Sequence, residues 1–212
     1  MVHGDKNSVP IDTYLDAPLP KFLDEDATTV ARKLLGCFII REFAHGEKSV
    51  LKIVETESYD QFDEASHTFG GRTARNASMF GPSGHWYVYF TYGMHYCCNM
   101  VAGQDGIGAG VLIRAAEPVF GTELIELYRG KTGVHATNGP AKICQALQIT
   151  RQFDGHDAGE LPFRLAQGEP VADRDVTVTT RIGISRAAGE LRRFYITDNP
   201  YVSVKAASAR RT

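Results

Sequence analysis

Acidic and aromatic side chains alternate along Ile53-Val54-Glu55-Thr56-Glu57-Ser58-Tyr59, and the acidic loop that follows, Asp63-Glu64-Ala65-Ser66-His67, carries a histidine. Successive side chains of an extended chain point to opposite faces, so Glu55, Glu57 and Tyr59 share one. A carboxylate beside a ring, with an imidazole nearby, can deprotonate water next to a planar ligand. Taken alone, such alternation is more often a solvated strand end bearing two acids. A lone histidine in an acidic loop is more often a surface hydrogen-bonding residue. A second group, Tyr87-Val88-Tyr89-Phe90-Thr91-Tyr92-Gly93-Met94-His95-Tyr96, is unusually aromatic. Tyr87 and Tyr89 fall on one strand face, where they can stack on a flat ligand. Tyr92 breaks the alternation beside Gly93, where a tight turn projects its ring outward as a wedge. Packing into a core is the commoner fate of strand aromatics, and the pattern leaves both readings open.

These residues need a scaffold. Asp26 suits a helix N-cap, Val30, Leu34 and Leu35 recur at helical spacing, and Gly36 suits the stop. Strands are predicted over 37–40 and 50–59, followed by a long aperiodic loop over 60–77. The turn Gly81-Pro82-Ser83-Gly84 introduces a hairpin over 86–101, broken at Tyr92-Gly93. A strand over 111–115 and a helix over 123–128 come next. Asn138 is read as capping a helix from Pro140, with Ile143, Ala146 and Leu147 on one face. Further strands are predicted over 176–180 and 192–196. Without repeats or a linker, the expectation is one α+β domain, a curved and largely antiparallel sheet with flanking helices. Its expected limits are 21–205, between a polar N-terminal segment (1–20) and a basic tail (206–212).

Composition narrows the function classes. The chain has 212 residues, 43% hydrophobic and 23% charged, and a formal net charge of -2. That balance gives no global reason to expect nucleic acid, although Arg181, Arg186, Arg192, Arg193, Lys205, Arg210 and Arg211 crowd the last part. A solvated face explains any one of them equally well. Residues 1–12 carry no apolar leader core and nothing later is long enough to span a bilayer, so a cytoplasmic protein is expected. Cys37, Cys97, Cys98 and Cys144 form no C-x-x-C pair and are expected to be reduced. The seven histidines make no ligand cluster, so neither a metal nor another cofactor is expected.

At the residues first singled out, the sequence resembles the alkyladenine (3-methyladenine) DNA glycosylase family. The match runs through Val54-Glu55-Thr56-Glu57-Ser58-Tyr59, Asp63-Glu64-Ala65-Ser66-His67, Gly70-Gly71-Arg72, Met79-Phe80, Tyr87-Val88-Tyr89, Tyr92-Gly93-Met94 and Asn99. It continues through Val111-Leu112-Ile113-Arg114-Ala115, Gly139-Pro140-Ala141-Lys142 and Arg192-Arg193-Phe194-Tyr195. The resemblance implies a monomeric base-excision repair enzyme acting on duplex DNA that contains damaged purines. Glu57 would activate the attacking water. Tyr59, His67 and Tyr89 would enclose the flipped base, and the bulk of Asn99 would lie against the purine position where guanine carries its amino group, acting as a steric filter. Tyr92 would fill the gap in the stack, and Arg72, Arg114 and Lys142 would meet the backbone. No lysine stands in the Glu57 motif to form a Schiff base, so water is the expected nucleophile and the strand stays intact. The loops between Tyr59 and His67 and between Arg72 and Met79 are each a residue shorter than in the vertebrate pattern, which bears on pocket width.

Two other classes share part of this pattern. A non-catalytic damaged-DNA binding protein would use Tyr92 and the basic contacts but has no need of Glu57. A small-molecule nucleoside hydrolase would use the acid and rings but not a projecting Tyr92.

Overall fold

The computed structural model describes residues 9–205. Residues 1–8 and the expected basic tail over 206–212, with Arg210 and Arg211, lie outside the described residues.

A short helix, α1 (Ile11–Leu15), precedes α2 (Ala27–Lys33). Asp26 caps α2 as expected, its carboxylate accepting from the amides of Thr28 and Thr29 at 3.0 Å each, and Gly36 lies in the left-handed region just after it. The strands β1 (Phe38–Glu42) and β2 (Lys48–Asp60) follow. Irregular chain then leads through one tight helical turn at Ala77–Phe80 to the hairpin β3 (Trp86–Thr91) and β4 (His95–Val101). Next come β5 (Ala109–Phe120), α3 (Thr122–Arg129), α4 (Pro140–Ala146), β6 (Phe163–Ala166), β7 (Val176–Thr179) and β8 (Arg193–Ile196).

All strand pairs are antiparallel, in the order β3-β4-β5-β2-β1-β6, with β8 joined to β2 and β7 to β8. This is the expected α+β architecture. The long β2 is its hub. One edge pairs with β5 along nearly its whole length, and the other is shared by β1 at residues 48–52 and β8 at residues 55–57. Register shifts beside Glu55 mark the hand-over, and such bulges bend and twist a strand, curling the sheet around its second half.

Alternation then separates two faces. Val88, Cys98, Met100, Val111 and Ile113 share one apolar core with Val30 and Leu34 of α2 and Ile143 and Leu147 of α4. Thr56 joins that face by donating its hydroxyl to the Ala31 carbonyl at 2.8 Å. Trp86 is fully buried, stacked on Phe163 with centroids 4.1 Å apart, and its indole donates to the Phe163 carbonyl at 2.8 Å. The residues between them, Glu57, Tyr87, Tyr89, Asn99, Leu112 and Arg114, face the opposite way.

Several details differ from expectation. Within the N-terminal segment, Tyr14 of α1 is buried against Ile40 and Val50. Four residues of β6 escaped notice because Arg164 interrupts a run too short to show a period. The strand expected over 111–115 is twelve residues long. Asn138 does not cap α4: the cap position is Gly139, and the Asn138 side chain instead accepts from Lys142 Nζ at 2.6 Å.

The backbones of Gly36 and Gly168 approach too closely to admit a side chain at Gly168. A Cβ added at Gly168 would lie 1.8 Å from the Gly36 carbonyl oxygen. Gly168→Ala is therefore expected to lower the stability by about 1–3 kcal/mol or more, measured as a fall in the urea midpoint. An unchanged midpoint would mean that this approach relaxes freely.

Candidate active site

The curled second half of β2 forms one wall of a cavity of about 360 Å³, whose lining includes Glu57, Tyr59, His67, Tyr89, Tyr92, Asn99 and Arg114. Seven residues expected at the site are thus brought together from five segments of the chain.

Glu57 has no exposed surface. One carboxylate oxygen accepts from the Tyr59 hydroxyl at 2.8 Å and from Arg114 at 3.2 Å; the other accepts from the Ile182 amide at 2.8 Å. Only donors meet it, which is what a buried carboxylate requires. Arg114 departs from expectation. It is 8% exposed rather than displayed to a backbone, and its guanidinium bridges Glu57 to Glu55. Burial favours losing its proton, but the adjacent Glu57 and Glu55 charges outweigh that and raise its pKa. Glu55, also fully buried, accepts from Arg193 Nε at 2.7 Å, the Ser203 amide at 2.6 Å and the Ser203 hydroxyl at 2.9 Å.

The walls beside Glu57 are aromatic. Tyr87 and Tyr89 stack with centroids 5.5 Å apart, and the His67 ring meets Tyr89 edge-on at 4.6 Å. His67 Nδ1 lies 3.1 Å from the Tyr87 hydroxyl. Partial burial, then the nearby Arg75 charge, hold the imidazole pKa below its ordinary value, although part of the side chain stays open to solvent. Burial pushes the Tyr59 and Tyr89 phenols well up and Tyr87 to about 12, so all three stay neutral donors. Asn99 is buried on β4, its amide donating to the Tyr87 carbonyl at 3.2 Å. Its place is fixed by the strand pair rather than by a ligand.

Tyr92 stands at the cavity mouth and is 84% exposed. With Gly93 and Met94 it forms the three-residue tip of the β3–β4 hairpin, and Tyr92 and Gly93 are both at positive φ (51° and 67°), a conformation that favours Asn or Gly. A tyrosine held there is under backbone strain of order 1–2 kcal/mol, and its ring buries too little to offset it. Arg72 is exposed on the loop that Asn76 pins through the His67 and Gly71 carbonyls. Lys142 is half-buried outside the cavity lining, committed to Asn138.

Of the cations read from the end of the sequence, Arg181 and Arg193 are buried and Arg192 half-buried, whereas Arg186 and Lys205 are exposed. Arg181 is paired with Asp63, Arg192 with Asp60 and Glu190, and Arg193 with Glu55. Sequence reasoning missed Arg181, the Ile182 amide and Ser203 as parts of the site. The only signal was the balance of acids in 55–63 against arginines 118 or more positions later. Among the described residues no group of side chains has metal-site geometry, and no helix is long and apolar enough to cross a membrane.

Histidine titration followed by NMR is expected to place the His67 midpoint below 6.5, with Arg75→Ala moving it part of the way back. The imidazole is then neutral at pH 7. A midpoint at or above 6.5 in the parent chain would contradict this.

Comparison with known proteins agrees with the geometry. A relative from Carboxydothermus hydrogenoformans is 49% identical over 190 residues, covering 88% of this chain and 99% of its own. Another from Methanoculleus marisnigri is 40% identical over 188 residues, covering 86% and 96%. A third from Agrobacterium fabrum is 42% identical over 185 residues, covering 87% and 91%. Each is named as a candidate 3-methyladenine DNA glycosylase. The sequence model of the methylpurine-DNA glycosylase (MPG) family matches residues 21–200, and the chain belongs to that family.

Proposed function

We propose that the protein removes alkylated purines from duplex DNA by hydrolysing the N-glycosidic bond, leaving an abasic site. The observation that carries this reading is a fully buried Glu57, faced only by donors, in an aromatic-walled cavity of about 360 Å³. That volume suits one planar base.

In this reading the target nucleotide leaves the stack and its base enters between Tyr59, Tyr89 and the His67 ring. Tyr92 fills the gap left behind, which gives its strained turn a use. Glu57 takes a proton from water as the water oxygen bonds to C1′. The C1′–N bond breaks with its electron pair leaving on the base, and the carboxylate opposes the positive charge developing on the sugar. A base alkylated to a cation departs without a proton and stacks well against electron-rich rings. Asn99, fixed on β4, limits width and so selects among purines. No lysine lines the cavity, so water remains the nucleophile and the strand stays intact. Arg72 and Lys142 meet the backbone; Arg114 serves Glu57 from inside. One chain supplies the whole cavity, so a monomer suffices.

A protein that only bound damaged DNA would gain nothing from burying Glu57, whose desolvation must be offset by three donors. That favours catalysis.

Glu57→Gln is expected to slow release of free base from an oligonucleotide duplex containing alkylated adenine by about 10²–10⁴, while binding to that duplex persists. Equal release by both proteins would remove Glu57 as the base, and damage-specific binding without release by either would favour the binding protein. Tyr92→Gly relieves the turn and removes the wedge. Its expected effect is an unfolding midpoint no lower than that of the parent together with slower excision from duplex than from single strands. Undiminished duplex excision would remove the wedge role.

A further inference from the structure

Three pieces of the cavity wall are separate in sequence: the end of β2 with Glu57 and Tyr59, the loop leading to His67, and residues 182–184. One fully buried guanidinium touches what holds all three. Arg181 donates to the Ser58 carbonyl at 3.0 Å, between Glu57 and Tyr59. It grips both carboxylate oxygens of Asp63, one of them at 2.9 Å, at the start of the His67 loop. Its Cζ lies 4.6 Å from the Tyr59 ring centroid. The next residue, Ile182, gives its amide to Glu57 at 2.8 Å. Asp63 passes the constraint on, accepting from the Ala65 amide at 2.9 Å through its side chain and from the Ser66 amide at 2.9 Å through its carbonyl.

We infer that Arg181, held by Asp63, is a positioning residue for base excision: it sets the Ile182 amide against Glu57 and the Tyr59 ring against the incoming base. The inference rests on the glycosylase reading above. Arg181 touches neither water nor base in this scheme and acts through Ile182 and Tyr59.

The energetics favour position over stability as its role. Burying a charged pair brings desolvation that often cancels its attraction, and apolar residues of similar volume commonly hold a fold as well. Arg181 also leaves its Nε buried without a hydrogen-bond partner, an arrangement costly for stability alone. What an apolar replacement cannot do is fix two carboxylate oxygens, a carbonyl and a ring face at once. A planar fork can, and a lysine ammonium cannot. The acidity of Asp63 is consistent with this: burial pushes the carboxyl up, but the Arg181 and Ala65 hydrogen bonds and the arginine charges hold it below its ordinary value.

The test measures single-turnover base release with enzyme in excess over an alkylated-adenine duplex, alongside Kd for undamaged duplex and unfolding midpoints. The variants are Arg181→Lys, Asp63→Asn and the Arg181→Met/Asp63→Asn double variant, which leaves no buried charge unpaired and keeps the question open to an answer if a single variant fails to fold. The expected result is a rate constant 10- to 100-fold lower in each folded variant, with Kd unchanged. A merely structural role predicts a lower midpoint and a smaller active fraction, but a parental rate constant for the molecules that react. That outcome in Arg181→Lys or the double variant overturns the inference. If the parent protein itself releases no base, the glycosylase reading fails and takes this role with it.

Discussion

Glu57 is removed from water, and a buried carboxylate persists only if fixed donors replace its lost hydration. Much of the architecture follows from that constraint. Its donors come from β2 itself through Tyr59, from β5 through Arg114, and from the segment before β8 through the Ile182 amide. Arg114 is shared between Glu57 and Glu55, and the second negative charge this brings is met by Arg193 and by the Ser203 donors. Asp63 and Arg181 add a second neutral pair beneath Tyr59. Three buried acids therefore face three buried arginines, and the cavity floor is a fixed polar lattice rather than an apolar core. Fixed donors of this kind need no reorganisation when charge moves during reaction, which is where electrostatic catalysis gains most.

The aromatic walls complement that floor. Phenols pushed upward by burial and an imidazole pushed downward all stay neutral near pH 7. In the proposed reaction a cationic base would meet ring faces and one carboxylate, with no competing cation from His67. Lesions that leave as neutral bases would need a proton from elsewhere. The electrostatics of the cavity thus favour one kind of leaving group before shape is considered.

Much of this was legible in the sequence, for reasons tied to period. Two-residue alternation placed Glu55, Glu57 and Tyr59 together and paired Tyr87 with Tyr89. The Tyr92-Gly93 step marked the hairpin tip, and Asp26 marked a helix. These features depend on neighbours in the chain. What was missed depends on distant partners. Arg114 looked like a surface cation because its acids lie nearly sixty positions earlier. Arg181 and Arg193 looked like part of a basic face because Asp63 and Glu55 lie further still. Asn138 had the right side chain for a cap, but Gly139 with its extended backbone took the position and a lysine claimed the amide. Helix α1 and strand β6 were too short to show a period.

The hydrogen bonds from Ser203 to Glu55, 148 positions away, also constrain the order of assembly. During synthesis β2 leaves the ribosome long before β8, so Glu55 and Glu57 wait for Arg181, Ile182, Arg193 and Ser203. Contacts this far apart close late in folding, because the loop entropy is lost before they form. Until then the carboxylates favour a hydrated, open β2, and the cavity has neither floor nor amide donor. A nascent chain that already displays the Tyr92 hairpin would still lack the donors that hold Glu57. Assembly of the cavity floor is thereby tied to the arrival of the segments around β8.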